Sequence, residues 1–203
     1  MLDARARRFI DPPLDRLGAA LAARGVSANA LTLVGLALGL LSASVIALGA
    51  PGWALLPLLA SRLLDGLDGS VARATRPTDF GGYLDIWCDF VFYGAVPFAF
   101  ALLDPANALP AAFLLLAFYV NGSSFLGLAI PAARRGIDTA ARGRKSFLYS
   151  AGLMEGTETI AFFVLLCLLP AQFPWIASLF GALCLYTAIA RVLHATHLLK
   201  ETS

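Results

Sequence analysis

Residues 53–103 read WALLPLLASRLLDGLDGSVARATRPTDFGGYLDIWCDFVFYGAVPFAFALL. Two apolar runs meet across a short polar connection. Each run is interrupted near its facing end by a pair of acids, Asp65 with Asp68 and Asp85 with Asp89. Spacings of three and four residues put both members of a pair on one helix face. Each run is about long enough to cross a bilayer core, which takes roughly 20 residues. Isolated charges at that depth are expensive, so these acids must face a wet cavity or one another.

The remainder of the chain has the same character. Of its 203 residues, 59% are hydrophobic and 14% charged, against about 45–50% and about 25% in a soluble domain. Apolar spans are expected at about 29–49, 53–73, 80–103, 109–130, 153–169 and 175–198. That leaves no length for a separate soluble domain, and the composition excludes intrinsic disorder. A net charge of +2 is too near neutral for a nucleic-acid binder read on charge. The expected fold is therefore all-α and integral to the lipid bilayer, with six transmembrane helices in residues 29–203.

Residues 1–28 carry Arg5, Arg7, Arg8, Arg16 and Arg24 without the early apolar core of a signal peptide. Leu14, Leu17 and Leu21 recur at helical spacing, which predicts an amphipathic helix on the membrane surface. Pro51, Pro105, Pro110, Pro131, Pro170 and Pro174 punctuate the connections, and Pro97 is expected to kink the third span. Gly35, Gly39 and Ala43 repeat every four residues and permit close helix approach, fitting internal packing better than the seam of a homodimer. Cys88, Cys167 and Cys184 lack metal spacing and fall in apolar runs, which makes them small buried hydrophobes.

Orientation follows from the basic residues. Residues 1–28, 62–76, 131–146 and the end from Arg191 carry five, three, five and two, which is all 15. The positive-inside rule then makes that side, with both termini, cytoplasmic. At about 1.5 Å per residue, Asp65 and Asp68 lie roughly 18 and 22 Å along their helix from Trp53. Asp89 and Asp85 lie at roughly 21 and 27 Å from Leu103. Glu158, Glu155, Arg191, Asn121, Ser123 and Ser124 fall at similar depth, so the polar layer implies a cavity open to the cytoplasmic side.

Acid pairs at helical spacing commonly mark a solvated face, but these interrupt apolar spans at matched depth. Four carboxylates brought together by facing helices need cations, and carboxylate oxygens suit Mg²⁺ or Mn²⁺, which also bind phosphates. Gly69 and Ala72 share the face of Asp65 and leave room for a flat ligand. Arg73 is able to pair with a phosphate.

The run D-G-L-D-G-S-V-A-R at 65–73, followed by G-x-x-x-D-x-x-x-D at 81–89, resembles the signature of the CDP-alcohol phosphotransferases, also called CDP-alcohol phosphatidyltransferases. Seven residues separate Arg73 from Gly81, one fewer than the usual eight, and Gly82 is the alternative glycine. Residues 27–32, Ser-Ala-Asn-Ala-Leu-Thr, resemble the short motif that opens the first span in that family. The resemblance implies that Asp65, Asp68 and Asp85 hold a pair of divalent ions, with Asp89 completing the site and acting as general base. It also implies that Gly69 and Ala72 lie against the cytidine, with Arg73 near the diphosphate. The implied donor is a CDP-alcohol, first of all CDP-diacylglycerol, and the implied acceptor a small polar alcohol or alcohol phosphate. CMP leaves. The implied location is a bacterial inner membrane.

The acceptor side stays open. Arg134, Arg142, Arg144 and Lys145 could grip an acceptor phosphate, or serve as a topology signal drawn to anionic headgroups. Arg191 resembles, by position, the basic residues of late helices that take a phosphorylated acceptor; a helix-packing ion pair is the other reading. Glu155 and Glu158 suit the first turn of a helix by its dipole, or bind the acceptor, or pair with Arg191. A transporter coupling ions through intramembrane carboxylates is the rival function. It has no need of Gly69, Ala72 and Arg73 in register with Asp65.

Overall fold

The computed structural model describes residues 2–134 and 156–200. Every regular element among them is helical: α1 (Leu2–Ala23), α2 (Ala28–Ala47), α3 (Pro51–Ala74), α4 (Asp79–Leu103), α5 (Ala108–Arg134), α6 (Gly156–Leu168) and α7 (Phe173–Lys200). Single 3₁₀ turns at Pro105–Asn107 and Pro170–Gln172 lead into α5 and α7.

Local chemistry sets these boundaries. Gly25 adopts φ +78 and Gly49 φ +92, the left-handed conformation that ends a helix at little cost in glycine. After α1, the Gly25 amide donates to Ala22 at 2.9 Å and the Val26 amide to Leu21 at 3.1 Å. Gly49 and Ala50 repeat the pattern after α2, on Ile46 and Val45. Pro51 occupies the first turn of α3, where its missing N–H leaves nothing unsatisfied. Thr78 caps α4, its hydroxyl accepting from the Gly81 amide at 3.0 Å.

The helices divide the molecule lengthwise. At the end carrying the two 3₁₀ turns, the interior is apolar and packed. Ile46, Leu58, Phe92, Val96, Phe100, Leu114, Phe163, Leu166 and Phe173 are fully buried there. Phe100 stacks on Phe173 with centroids 4.6 Å apart, and Phe162 on Phe180 at 3.9 Å; such pairs add about 0.5–1.5 kcal/mol beyond area burial. Serines join α2 to α3 through backbone carbonyls, Ser42 to Ala54 at 2.9 Å and Ser61 to Gly35 at 2.7 Å. The opposite end gathers the polar side chains.

The outward faces are apolar. Leu48, Trp53, Leu56, Leu109, Leu116, Trp175 and Leu179 are all more than half exposed. A surface of that kind belongs in lipid. Four helical stretches are long and apolar enough to cross a membrane: Ala28–Ala47, Asp79–Leu103, Pro105–Arg134 and Pro170–Thr196. The chain is a multi-pass membrane protein. Helix α3 has the length, but Arg62, Asp65, Asp68 and Arg73 break its apolar composition, and the described part of α6 has 13 residues.

Some sequence expectations change. Pro131 does not end the fourth expected span: α5 runs through it to Arg134, the last residue described before 156, and gives up only the one amide hydrogen bond that a proline cannot donate. Helix α4 continues through Pro97. Helix α1 packs against α3, so tightly that a Cβ on Gly18 would stand 2.6 Å from Ser70 Cβ. The three cysteines are free and buried.

Candidate active site

The signature acids lie on the last turns of α3 and the first turns of α4, which the residues between Ala74 and Asp79 join. Asp65, Asp68 and Asp85 each offer an oxygen within 4.8 Å of the others'. Asp68 is 5% exposed, and its Oδ2 accepts from the Thr32 hydroxyl of α2 at 2.5 Å. The motif that opens the first expected span thus reaches the site through its last residue.

Asp89, expected to complete the metal set, stands outside this three-acid group. Its Oδ1 accepts from Arg62 Nη1 at 2.8 Å, and the same nitrogen lies 3.4 Å from Asp65 Oδ1. By sequence, Arg62 counts only among the basic residues that set topology. Among the described residues, the Arg62 guanidinium bridges Asp89 and Asp65, and Asp65, Asp68 and Asp85 converge beside it. The all-oxygen donor set suits a hard divalent cation, so Asp65, Asp68 and Asp85 fit the metal that the sequence implied.

The two glycines at the start of α4 differ in the space around them. A Cβ on Gly81 would stand 3.1 Å from Thr78 Oγ1 and 3.2 Å from Asn29 Oδ1, whereas Gly82 faces open space. Gly69 and Ala72 are half-buried on α3. A Cβ on Gly69 would meet Arg73 Nη1 at 3.2 Å, so the arginine head lies over the glycine. Arg73 Nη2 donates to Asp15 Oδ1 of α1 at 2.7 Å and to Ser70 Oγ at 2.9 Å. Both charged side chains are about half exposed. The hydrogen bonds from Arg73 and then Ser70 hold the Asp15 carboxyl below its ordinary value.

Arg191 of α7 is 8% exposed. Its Nη1 donates to the Asn121 carbonyl at 3.1 Å, Asn121 Oδ1 at 2.9 Å and Ser124 Oγ at 2.6 Å. The guanidinium also lies 5.7 Å from the centre of the Phe125 ring. It therefore links α7 to the polar residues of α5 that sequence arithmetic placed at the same depth. Arg134 is exposed at the end of α5, and Glu158 is half-buried in the first turn of α6. Arg142, Arg144, Lys145 and Glu155 lie outside the described residues.

A family model described as CDP-alcohol phosphatidyltransferase matches residues 25–195. Inner membrane protein YnjF of Escherichia coli (strain K12) is 50% identical over 193 residues, covering 95% of this chain and 94% of that protein. Archaetidylinositol phosphate synthase of Pyrococcus horikoshii is 35% identical over 100 residues, 49% of this chain and 53% of its own. The protein of the same name from Methanothermobacter thermautotrophicus is 37% identical over 91 residues, 44% and 43% of the two chains.

Proposed function

This chain belongs to the CDP-alcohol phosphatidyltransferase family, and from that premise we propose that it moves a phosphatidyl-type group from a CDP-alcohol to a small polar alcohol or alcohol phosphate, releasing CMP. The family uses CDP-alcohol donors and alcohol acceptors in the membrane and is generally dependent on divalent metal. CDP-diacylglycerol is the proposed donor. The observation that carries this reading is the convergence of Asp65, Asp68 and Asp85 within 4.8 Å, beside Asp89 and above an apolar, lipid-facing bundle. A transporter would have no use for a metal nest built at one end of the bundle with small residues and an arginine in register.

The roles follow from position. Asp65, Asp68 and Asp85 would hold Mg²⁺ or Mn²⁺, two ions with the help of Asp89. Such ions neutralise charge on the attacking and leaving oxygens of an in-line displacement. Asp89 takes the proton of the acceptor hydroxyl. The acceptor oxygen bonds to the phosphorus that carries the lipid alcohol, and the bond from that phosphorus to the bridging oxygen breaks. CMP departs with the bridging oxygen. Gly69 and Ala72 leave flat space for the cytidine, and Arg73 meets the diphosphate in place of Asp15.

The acceptor candidates remain Arg134, Arg142, Arg144, Lys145, Glu155, Glu158 and Arg191. The printed names of the two archaeal relatives put an inositol phosphate first on the panel to test. Counting α3 and α6 as crossings makes six spans in residues 29–203, with residues 1–28 as a surface segment at the cytoplasmic face. The distribution of basic residues supports that orientation, and the name of the Escherichia coli relative supports an inner membrane.

The test uses purified full-length protein in lipid nanodiscs, with CDP-diacylglycerol, Mg²⁺ and a panel of inositol 1-phosphate, glycerol 3-phosphate, glycerol and serine. CMP should appear with one acceptor and cease in Asp89→Asn. No CMP with any member, or undiminished release by the variant, overturns the proposal.

A further inference from the structure

Among the described residues, Arg62 is the basic side chain that touches the signature acids Asp65 and Asp89, and it has no role in the signature. Arg62 lies three residues before Asp65 on α3, and its side chain is 8% exposed. Three helices fix it. Nη1 donates to Asp89 Oδ1 of α4 at 2.8 Å. Nη2 donates to Ser61 Oγ at 3.1 Å, and that hydroxyl in turn donates to the Gly35 carbonyl of α2. The guanidinium carbon sits 4.1 Å above the centre of the fully buried Phe92 ring. Gly39 of α2 makes the space for this stack, because a Cβ there would stand 2.7 Å from Phe92 Cδ2 and 3.2 Å from Ser61 Oγ.

We propose that Arg62 is a positioning residue for the transfer reaction: it holds Asp89 by one carboxylate oxygen and so orients the other toward the acceptor hydroxyl. The proposal rests on the functional reading above. Arg62 Nη1 lies 2.8 Å from Asp89 Oδ1 and 3.4 Å from Asp65 Oδ1, so without Arg62 these two carboxylates repel and a divalent cation would draw Asp89 out of that orientation. Arg62 also sets a fixed positive charge against that cation. Its removal should therefore do two opposite things, slowing turnover while tightening metal binding. A loss of folding would weaken both.

Arg62→Gln and Arg62→Lys are compared with the unaltered chain in nanodiscs. Mn²⁺ binding is read from the electron-paramagnetic-resonance signal of the free ion. Turnover is read as CMP release from CDP-diacylglycerol, with whichever panel alcohol supports it. For Arg62→Gln the expected results are a kcat lower by about tenfold or more, a donor KM within about threefold, and Mn²⁺ affinity at least about threefold tighter, from the lost repulsion. Arg62→Lys keeps the charge but not the two-pronged grip. It should keep the original Mn²⁺ affinity and recover only part of kcat. Unchanged kcat in Arg62→Gln overturns the proposal, as does Mn²⁺ binding that weakens together with turnover. An unaltered chain that binds Mn²⁺ yet releases no CMP overturns the functional reading instead, and this assignment with it.

Discussion

The hydroxyl of Thr32 is a small group with a calculable effect. Thr32 and Asp68 are 6% and 5% exposed, and the bond between them is 2.5 Å long. Thr32→Val keeps the shape and removes the donor. A hydrogen bond to a charged group contributes about 1.5–3 kcal/mol, and every 1.4 kcal/mol is a factor of ten. The ordered position of the Asp68 carboxylate should thus lose roughly ten- to hundredfold in weight relative to its alternatives. Thr32 also donates to the Ala28 carbonyl at 3.1 Å, an oxygen within the first turn of α2, so that loss is minor. If Asp68 ligates a divalent ion, Mn²⁺ affinity should fall about tenfold or more, with a similar fall in CMP release at subsaturating metal. Saturating Mg²⁺ should recover much of the rate, and Thr32→Ser, which restores the donor, most of the affinity. Thermal stability serves as the control, since valine suits a buried helix in lipid. Thr32→Val with Mn²⁺ affinity and turnover both within twofold of the unaltered chain would refute this account of Asp68.

Three further outcomes are expected. Gly18→Val places atoms where Ser70 already stands, at 2.6 Å from its Cβ and 2.9 Å from its carbonyl carbon. Overpacking of this kind costs about 1–3 kcal/mol, and spin labels on α1 and α3 should move apart; an unchanged distance contradicts the docking. The Asp15 carboxyl is held below its ordinary value of 3.8, so its contribution to holding α1 is complete above that value and lost as pH falls through the lowered one. The same label distance should be constant from about pH 5 to 8 and lengthen only below about 3.8, with Asp15→Asn lengthening it at neutral pH. Loosening between pH 5 and 7 would point to another group. Chelation by EDTA should abolish CMP release and Mg²⁺ or Mn²⁺ restore it, whereas turnover that persists in EDTA contradicts a metal-held site.

The helices were legible because apolar runs and prolines leave few other choices, and four of them are long and apolar enough to cross a membrane. The acids were legible because helical spacing and matched depth work on sequence alone. Residues 121, 124 and 191 were placed at one depth by the same arithmetic, and they proved to be hydrogen-bond partners. Arg62 was hidden by its own charge, since a count of basic residues treats it as a topology signal. Its place nine residues past Trp53, roughly 13 Å along the helix, was the signal available, because an arginine so deep in a span needs a partner. Asp15 and Arg73 are 58 residues apart, and only the packing of α1 on α3 brings them together. No local pattern encodes that contact. Pro131 misleads as a span boundary because a proline removes one helical hydrogen bond without obliging the helix to stop, and α5 continues through it.

The central claim is that the chain transfers the lipid-side phosphorus of a CDP-alcohol to an alcohol. The most direct measurement labels that phosphorus in CDP-diacylglycerol and follows it by thin-layer separation and mass spectrometry, using the full chain with Mg²⁺ and the acceptor panel. The account predicts unlabelled CMP and a labelled lipid whose mass includes the acceptor, neither of which forms with Asp89→Asn. Label that stays in the donor with every acceptor, or passes only to phosphatidic acid through attack by water, would contradict it.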